Sequence, residues 1–580
     1  MLTRRQFLQR GAVGGTGVAL SRYAFATAAP AAVGATPMLR RWVEPLPVPP
    51  VLDGRGGGKR FAIAARESTM WKFHPSLPAT RTWGYWSDNP AAGLPYLGPT
   101  IVATRRSNDT VEASVTVEWR NELGNAFLPN DPTITGAVMP GDPAPIVTHL
   151  HGGENHPQFD GTPLQWFTQD GATGPHYVTN TFTYYNEQRA SMVWYHDHAL
   201  GNTRTNVYAG LAGAYLIRDD QDTGEPGNPL GLPAGPYELP LVLQDKTFNT
   251  DGSMFYPTQG VTSYHPQWVP EFFGDVAVVN AKIWPYIDVE PRRYRLRIVN
   301  GSQSRFYNLR FANEKTGAAL PFAQIGTDGG LLRAPVPMSA MLIAPGERAD
   351  LIVDFAGRRG ASFIATNNAR APYPMGGRAT LSQLLKIRVN QPLKGTDTTT
   401  PAADLHLPAL AALPAPSLTR VQHLSETLDP MTGAPSNLNV EDAPYLDDGG
   451  LPDVTTRPSA GATEDWLLVN TTADTHPIHL HLVTFEVIDR RPFSAYDPTT
   501  QAITYTGPAV PASANENGRK DTVQAHPGQV TRIRARFELP DEGTIQLPPD
   551  VGVSNPQYVW HCHILEHEEN DMMRAFEVVQ

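Results

Sequence analysis

The strongest constraint on the fold is a short stretch near the C-terminus, Tyr558-Val-Trp-His-Cys-His-Ile-Leu-Glu-His-Glu-Glu-Asn-Asp-Met-Met573. It holds the single cysteine of the 580-residue chain, Cys562, between His561 and His563, with His567 and Met572 downstream. Successive side chains of a strand point to opposite faces, and residues two apart share one. Extended backbone here aims Cys562 at one neighbourhood and both flanking histidines at another. Neutral imidazole, thiolate and a weak thioether form the ligand set of a blue-copper electron-transfer site. The alternation suits a thiolate on one copper ion, joined through one residue on either side to two further ions.

Taken alone, a cysteine is more often a buried small hydrophobe, and a His-x-His pair is often accidental. Three further clusters decide between these readings. His149-Leu-His151-Gly152 follows the run Pro145-Ile-Val-Thr148, and His196-Asp-His198 follows Ser191-Met-Val-Trp-Tyr195. His476-Pro-Ile-His479-Leu-His481 comes later. On a strand, the two rings of a His-x-His pair share a face about 6–7 Å apart, so neither pair closes a metal site alone. Ten of the 17 histidines lie in the four clusters, and with Cys562 and Met572 they give twelve candidate ligands. One blue-copper site uses two histidines, the thiolate and an optional axial Met. Eight histidines remain, a fitting number for three coppers that keep open positions for an oxygen ligand.

The chain is too long for one ordinary domain. Short Val/Ile/Thr/Phe/Tyr runs, with 55 Pro and 50 Gly, read as strands joined by turns, which makes the fold all-β. A Pro-rich arm from Leu39 to Pro50 opens the first of three strand-rich blocks, 40–220, 237–395 and 418–580. Asp220–Gly235 and Lys394–Ser417 read as linkers. Alternation in Asp109–Trp119, Tyr294–Val299, Asp350–Phe355 and Thr531–Phe537 predicts strands, and no heptads or long amphipathic helices are found. Two histidine clusters fall in the first block and two in the third. The middle block contains only His265 and reads as a spacer or substrate wall. His74, His156, His176, His265, His406, His423 and His526 are expected to be packing or surface residues.

A net charge of -11 without a basic patch speaks against nucleic-acid binding, and one cysteine excludes an internal disulfide. The N-terminus reads as an address. Thr3-Arg4-Arg5-Gln6-Phe7-Leu8 is a twin-arginine signature, followed by an apolar run from Gly11 to Leu20 and small residues from Ala24 to Ala35. A signal peptide over residues 1–28 is expected, with export to the periplasm or beyond. The apolar run is too short for a permanent membrane anchor, and a monomer is expected.

In chain order the clusters read HxHG, HxH, HxxHxH and HCHxxxHxxxxM, and on these motifs the sequence resembles the multicopper oxidases over most of its mature length. It looks closest to bacterial spore-coat laccases and bilirubin oxidases through Thr475–Phe485, Asp489–Phe493, Tyr505–Pro511, Lys520-Asp-Thr522 and Gly326–Leu332. The resemblance implies three Greek-key cupredoxin-like domains and four copper ions. His476, Cys562 and His567 would bind the type 1 copper, with Met572 axial. His149 and His479 would hold the type 2 copper, and His151, His196, His198, His481, His561 and His563 the type 3 pair. Electrons would enter at His567, the ligand expected nearest the surface, and pass through Cys562. Reduction of dioxygen to water consumes protons that positioned acids must deliver, and the resemblance gives that relay to Asp160 and Glu568.

The implied substrates are small phenolic or aromatic donors and O2. A cuprous oxidase for copper tolerance would use the same core, but the 12 Met residues are scattered and form no Met-rich insertion. Bilirubin or aminophenol oxidation is compatible with the same branch. A copper-binding electron-transfer protein without oxygen chemistry leaves the eight surplus histidines unexplained. The segment Pro540–Pro556 is longer than the corresponding turn of such relatives and is expected to reshape the approach to the type 1 site.

Overall fold

The computed structural model describes residues 35–88, 94–107, 112–377, 381–541, 543–549 and 553–580. The twin-arginine segment and the start of the Asp109–Trp119 stretch lie outside these residues. From Val115 onward that stretch lies in the strand Val115–Asn121, in which buried and half-buried side chains alternate.

The described strands form six sheets, which fall in chain order into three pairs. The first pair has five and four strands, the second seven and six, the third seven and five. Each pair repeats one connection that cannot be a hairpin. Lys59–Trp71 lies parallel to Val115–Asn121, Glu238–Lys246 to Arg293–Asn300, and Leu418–Leu428 to Thr463–Asn470. Parallel neighbours require a crossover, so each pair is a Greek-key, cupredoxin-like domain. This repetition is carried by topology, since no residue pattern repeats among the three blocks.

The five-stranded sheet of the first block ends in Ala212–Arg218, Met192–Asp197 and Thr148–His151. Every residue of Met192–Asp197 and Thr148–His151 is buried. One face of these strands packs in their own core, and the histidine face is covered by the third block. The five-stranded sheet of the third block supplies that cover through His476–Leu480 and Gln557–Cys562, which are antiparallel neighbours.

The middle block is fixed to the first by charge. Asp222, in the expected linker, accepts from Arg295 at 2.7 and 2.8 Å and from Arg297 at 2.7 Å. Arg218 joins them through Asp222 and Glu238, and Asp350 completes three guanidinium–carboxylate partners of each sign. All six are buried. Removing any one partner of such a set leaves a buried charge uncompensated, so the network fixes how the two blocks meet. The described α-helices are short, Thr203–Ala209 and Leu565–Glu569, and no helix among the described residues is long and apolar enough to cross a membrane.

Candidate metal centres

Strand register brings the histidine clusters together in pairs. His149 stands opposite His196 in the first block, and His479 opposite His561 in the third, with Ile478 opposite Cys562. The two blocks then interleave their rings. His151 stacks on His479 with centroids 3.6 Å apart, and His149 on His481 at 3.8 Å. Neither block has a complete set of donors without the other.

Among the described residues, donor atoms within 4.8 Å of one another form five buried groups. Three contain only histidines: His149/His151/His479, His151/His196/His563 and His198/His481/His561. A fourth is His476/Cys562/His567, and the fifth joins Asp160 to His149 and His481. In the fourth group, Cys562 Sγ lies 3.6 Å from His476 Nδ1 and 3.7 Å from His567 Nδ1, and the two nitrogens are 3.3 Å apart. Three donors arranged about one ion at roughly 2 Å have such separations. Met572 is buried beside them. Its N–H donates to His567 O, and its carbonyl accepts from Cys562 N, both at 3.0 Å.

The ring orientations are set from outside. His149 Nδ1 donates to Asp160 O at 2.5 Å, His479 Nδ1 to Asp521 O at 2.9 Å and His196 Nδ1 to Asp197 O at 2.9 Å. His561 Nδ1 donates to Cys562 O at 3.1 Å. A proton held at Nδ1 leaves the Nε2 lone pair free to bind metal. Accordingly His561 Nε2 lies 3.3 Å from both His198 Nε2 and His481 Nε2, and His149 Nε2 lies 3.5 Å from His479 Nε2. His151 has the opposite arrangement. Its Nε2 faces Asp521 Oδ1 and Thr522 Oγ1 at 3.1 and 3.0 Å, leaving Nδ1 without a hydrogen-bond partner.

Both acids singled out in the sequence touch these rings. Asp160 Oδ2 accepts from His481 Nδ1 at 2.7 Å. Glu568 lies 3.4 Å from His198 Nδ1 and 3.1 Å from His561 Nδ1. The two carboxylates therefore hold the same three-histidine group from behind. A third acid, Asp521, serves the other side and was missed in the sequence, although Lys520-Asp-Thr522 carried part of the resemblance. Its carboxylate forms a bidentate pair with Arg348 of the middle block. No local pattern marks that partnership, which joins residues 173 positions apart.

The middle block is thus more than a spacer. Gly346 has φ +82°, and a Cβ there would lie 2.7 Å from the His563 ring. Gly152, the glycine of HxHG, has φ +86°, and its Cβ would meet Asp521 Oδ2 at 2.5 Å and Arg348 Nη2 at 2.6 Å. Only glycine permits these approaches. The middle block also clamps the helix that bears His567. Ser304 Oγ and Tyr256 OH donate to the Glu566 carboxylate at 2.6 and 3.1 Å, and Trp268 Nε1 donates to Glu566 O at 3.1 Å.

His567 is fully buried, as are His476, Cys562 and Met572. Described residues of the long segment before the last strands contact the first block: Gln158 donates to Thr544 O at 2.7 Å and accepts from Gln546 N at 3.1 Å. Gln158 lies two residues before Asp160, so these contacts tie the segment to the His149/His481 side.

The environment suits cation ligation. Burial pulls His149, His151, His198, His481, His563 and His567 well below the usual histidine range and takes His196 and His476 to about 3, which keeps them neutral. Burial also pushes the Cys562 thiol well up, an effect that a bound cation reverses by stabilising the thiolate. His196 Nε2 and both nitrogens of His563 are buried without a hydrogen-bond partner, although such groups in native proteins are nearly always satisfied. The donor set of imidazoles, one thiolate and a thioether is that of copper.

Comparison with known proteins agrees with this geometry. A family model described as "Multicopper oxidase" matches residues 427–580. The chain is similar to a laccase of Bacillus subtilis (strain 168), 39% identical over 93% of this chain and 99% of that protein. It is also similar to the multicopper oxidase LPR1 of Arabidopsis thaliana, 36% identical over 88% of this chain and 87% of that one. The crystal structure of McoA multicopper oxidase from Aquifex aeolicus superposes with a TM-score of 0.70 at 24% identity, covering 93% of this chain and all of that one.

Proposed function

The chain belongs to the multicopper oxidase family, and from that premise we propose that it is a laccase-like oxidase of phenolic and aromatic donors with dioxygen as acceptor. Four coppers would be held here: the type 1 ion by His476, Cys562, His567 and Met572, the type 2 ion by His149 and His479, and the type 3 pair by His151, His196 and His563 with His198, His481 and His561. Copper supplies one-electron redox change and positions at which oxygen can bind. Each of four donors gives up one electron, and one dioxygen takes four electrons and four protons to become two waters.

The protein supplies the remainder. His567 and its surroundings receive the donor's electron, and Cys562 is joined through one peptide unit each to His561 and His563. Asp160 is kept protonated by its burial, which raises its carboxyl well above the usual range; Oδ2 accepts from His481 Nδ1, and the unpartnered Oδ1 is the atom placed to carry and release the proton. Glu568 stands beside His198 and His561, where its carboxylate can relay a proton on the same side of the group. Asp521, held ionised by Arg348 against the cost of burial, has no proton to give and orients His151 and His479.

One observation carries the oxidase reading over simple electron transfer: eight histidines from two separate blocks converge on one interior, beyond what the Cys562 centre needs. We further infer export by the twin-arginine route, which rests on Arg4, Arg5 and the apolar run that follows, and a monomeric enzyme. The deciding experiment is oxygen uptake by the copper-loaded protein with 2,6-dimethoxyphenol and, separately, Cu(I), together with copper analysis. Uptake with the phenol without peroxide release, at about four coppers per chain, is expected. Uptake with Cu(I) alone would move the reading to a cuprous oxidase. About one copper and no uptake would make the protein an electron carrier.

A further inference from the structure

Where the middle block meets the third, the two enclose a cavity of about 280 Å3, room for about nine waters. Its wall comes from the middle-block strands Phe322–Thr327, Gly330–Met338 and Met341–Ile343 and from the third-block strands Phe485–Asp497 and Thr522–Ala525. None of the candidate metal ligands lines it. One side is apolar, with Met338, Met341 and Ile343. Ser513, also in the wall, is exposed, so small solutes reach the cavity from solvent.

Each charged group in the wall already has its opposite. Lys520 Nζ lies 2.8 Å from Asp328 Oδ2 and 3.1 Å from Glu347 Oε1, and it donates to Thr327 Oγ1 at 3.0 Å, which occupies all its donors. Arg490 donates to both oxygens of Glu516 at 2.6 and 2.8 Å, and Arg348 pairs with Asp521. Uncharged polar groups are what remain open. Gln324 is 3% exposed; its Nε2 donates to Gly326 O at 3.1 Å, and its Oε1 has no hydrogen-bond partner. Buried carbonyls are nearly always satisfied in native proteins, so Oε1 marks a place for a ligand donor. Gln524 commits Nε2 to Glu347 Oε2 at 2.7 Å, which leaves its Oε1 as a second acceptor. His526 Nδ1 and Thr475 Oγ1 share a hydrogen bond of 3.1 Å. Burial, then the charge of Arg490, pulls His526 down to about 4, so its ring is neutral and presents Nε2.

We propose that this cavity is a binding site for a neutral polyhydroxylated molecule of monosaccharide size, held between the middle and third blocks. A hydroxyl both donates and accepts, which matches two carbonyl acceptors set beside an imidazole. The carbon skeleton lies against Met338, Met341 and Ile343, giving the mixture of apolar wall and few polar groups that small-molecule sites have. A charged ligand finds no unpaired partner here and gives up its hydration without compensation. The site is separate from the metal centres and does not rest on the laccase-like reading. Its occupant touches both blocks and so stabilises their contact by mass action.

The test uses three sugars of one ring shape that differ in charge: D-glucose, D-glucosamine and D-glucuronate. In calorimetric titration of the copper-loaded enzyme, glucose is expected to bind at one site per chain with a Kd on the order of 1 mM or below. The two charged sugars should bind at least about tenfold more weakly. Glucose should also raise the midpoint of thermal unfolding. Gln324→Met removes the unpartnered carbonyl at similar volume and should weaken glucose about fivefold, the loss of one neutral hydrogen bond. Ser513→Trp, at an exposed position that leaves the interior intact, should block entry and abolish binding. Phenol-driven oxygen uptake without sugar should be unchanged in both variants, which reports that they fold. Neither heat nor a thermal shift from glucose would overturn the inference, as would glucose binding unaltered in both variants. Equal affinity for the three sugars, or tighter binding of either charged one, would refute the neutral class.

Discussion

His561 and Cys562 are consecutive residues of one strand, yet their side chains belong to different centres. Cys562 Sγ lies 3.6 Å from His476 Nδ1, whereas His561 Nε2 lies 3.3 Å from both His198 Nε2 and His481 Nε2. The pleat alone separates them. One peptide unit therefore joins the His476/Cys562/His567 group to the His198/His481/His561 group.

Replacing the sulfur breaks that connection at its start. Cys562→Ser should lose the thiolate-to-copper colour and all phenol-driven oxygen uptake while retaining about three coppers per chain. A variant that stays blue or turns over normally would contradict the assignment of Cys562.

Asp160→Asn removes the transferable carboxyl proton beside His481, with little change in shape. Oxygen consumption should fall on the order of 100-fold, the usual contribution of a positioned acid. Anaerobic reduction of the Cys562 centre by phenol should keep its rate, and only reoxidation by oxygen should slow. Stopped-flow absorbance separates the two steps, and slowing of both would reduce Asp160 to a structural role.

Arg348→Met leaves Asp521 buried without its ionic partner, both side chains being about 1% exposed. The expected cost is about 3–5 kcal/mol of stability, read from denaturant unfolding of the metal-free chain. Because Asp521 orients His151 and His479, the variant should also bind less copper than the parent chain. Unchanged stability would mean that Asp521 finds another partner or water.

Glu154 gives the stability profile a predictable slope. Burial, with repulsion from Glu538 and Glu187, raises its carboxyl to about 7 in the folded chain. The unfolded chain releases this proton near the ordinary glutamate value, so between there and about pH 7 the folded state binds more protons. Stability from this group is full below that window and is lost as pH rises through it, at about 1.4 kcal/mol per pH unit within the window. Glu154→Gln should flatten the decline between about pH 5 and pH 8. An identical slope in the variant would remove Glu154 as its source.

Chelation should destabilise the folded chain. Ions that bind only the folded state add stability by mass action, about 4 kcal/mol for each site at a thousandfold excess over its Kd. Thermal unfolding should shift downward on copper removal and return on readdition. An unchanged midpoint would argue that the interior histidines do not hold metal in the folded chain.

Local chemistry was legible in the order of residues. Strand alternation and His-x-His spacing depend on the two-residue period of extended backbone, which holds wherever a strand forms. It places His149 with His151, whose rings are 6.0 Å apart, and His561 with His563, at 5.7 Å. The all-β class follows from the same short β-branched runs, and Asp160 and Glu568 were visible because they sit beside histidine motifs. Only the packed chain settles which clusters meet, that His567 is covered, and that Asp521 pairs with Arg348. These are contacts between residues tens to hundreds of positions apart, fixed by how three sandwiches pack. Packing depends on the summed burial and charge of whole faces, and no short stretch of residues contains that information.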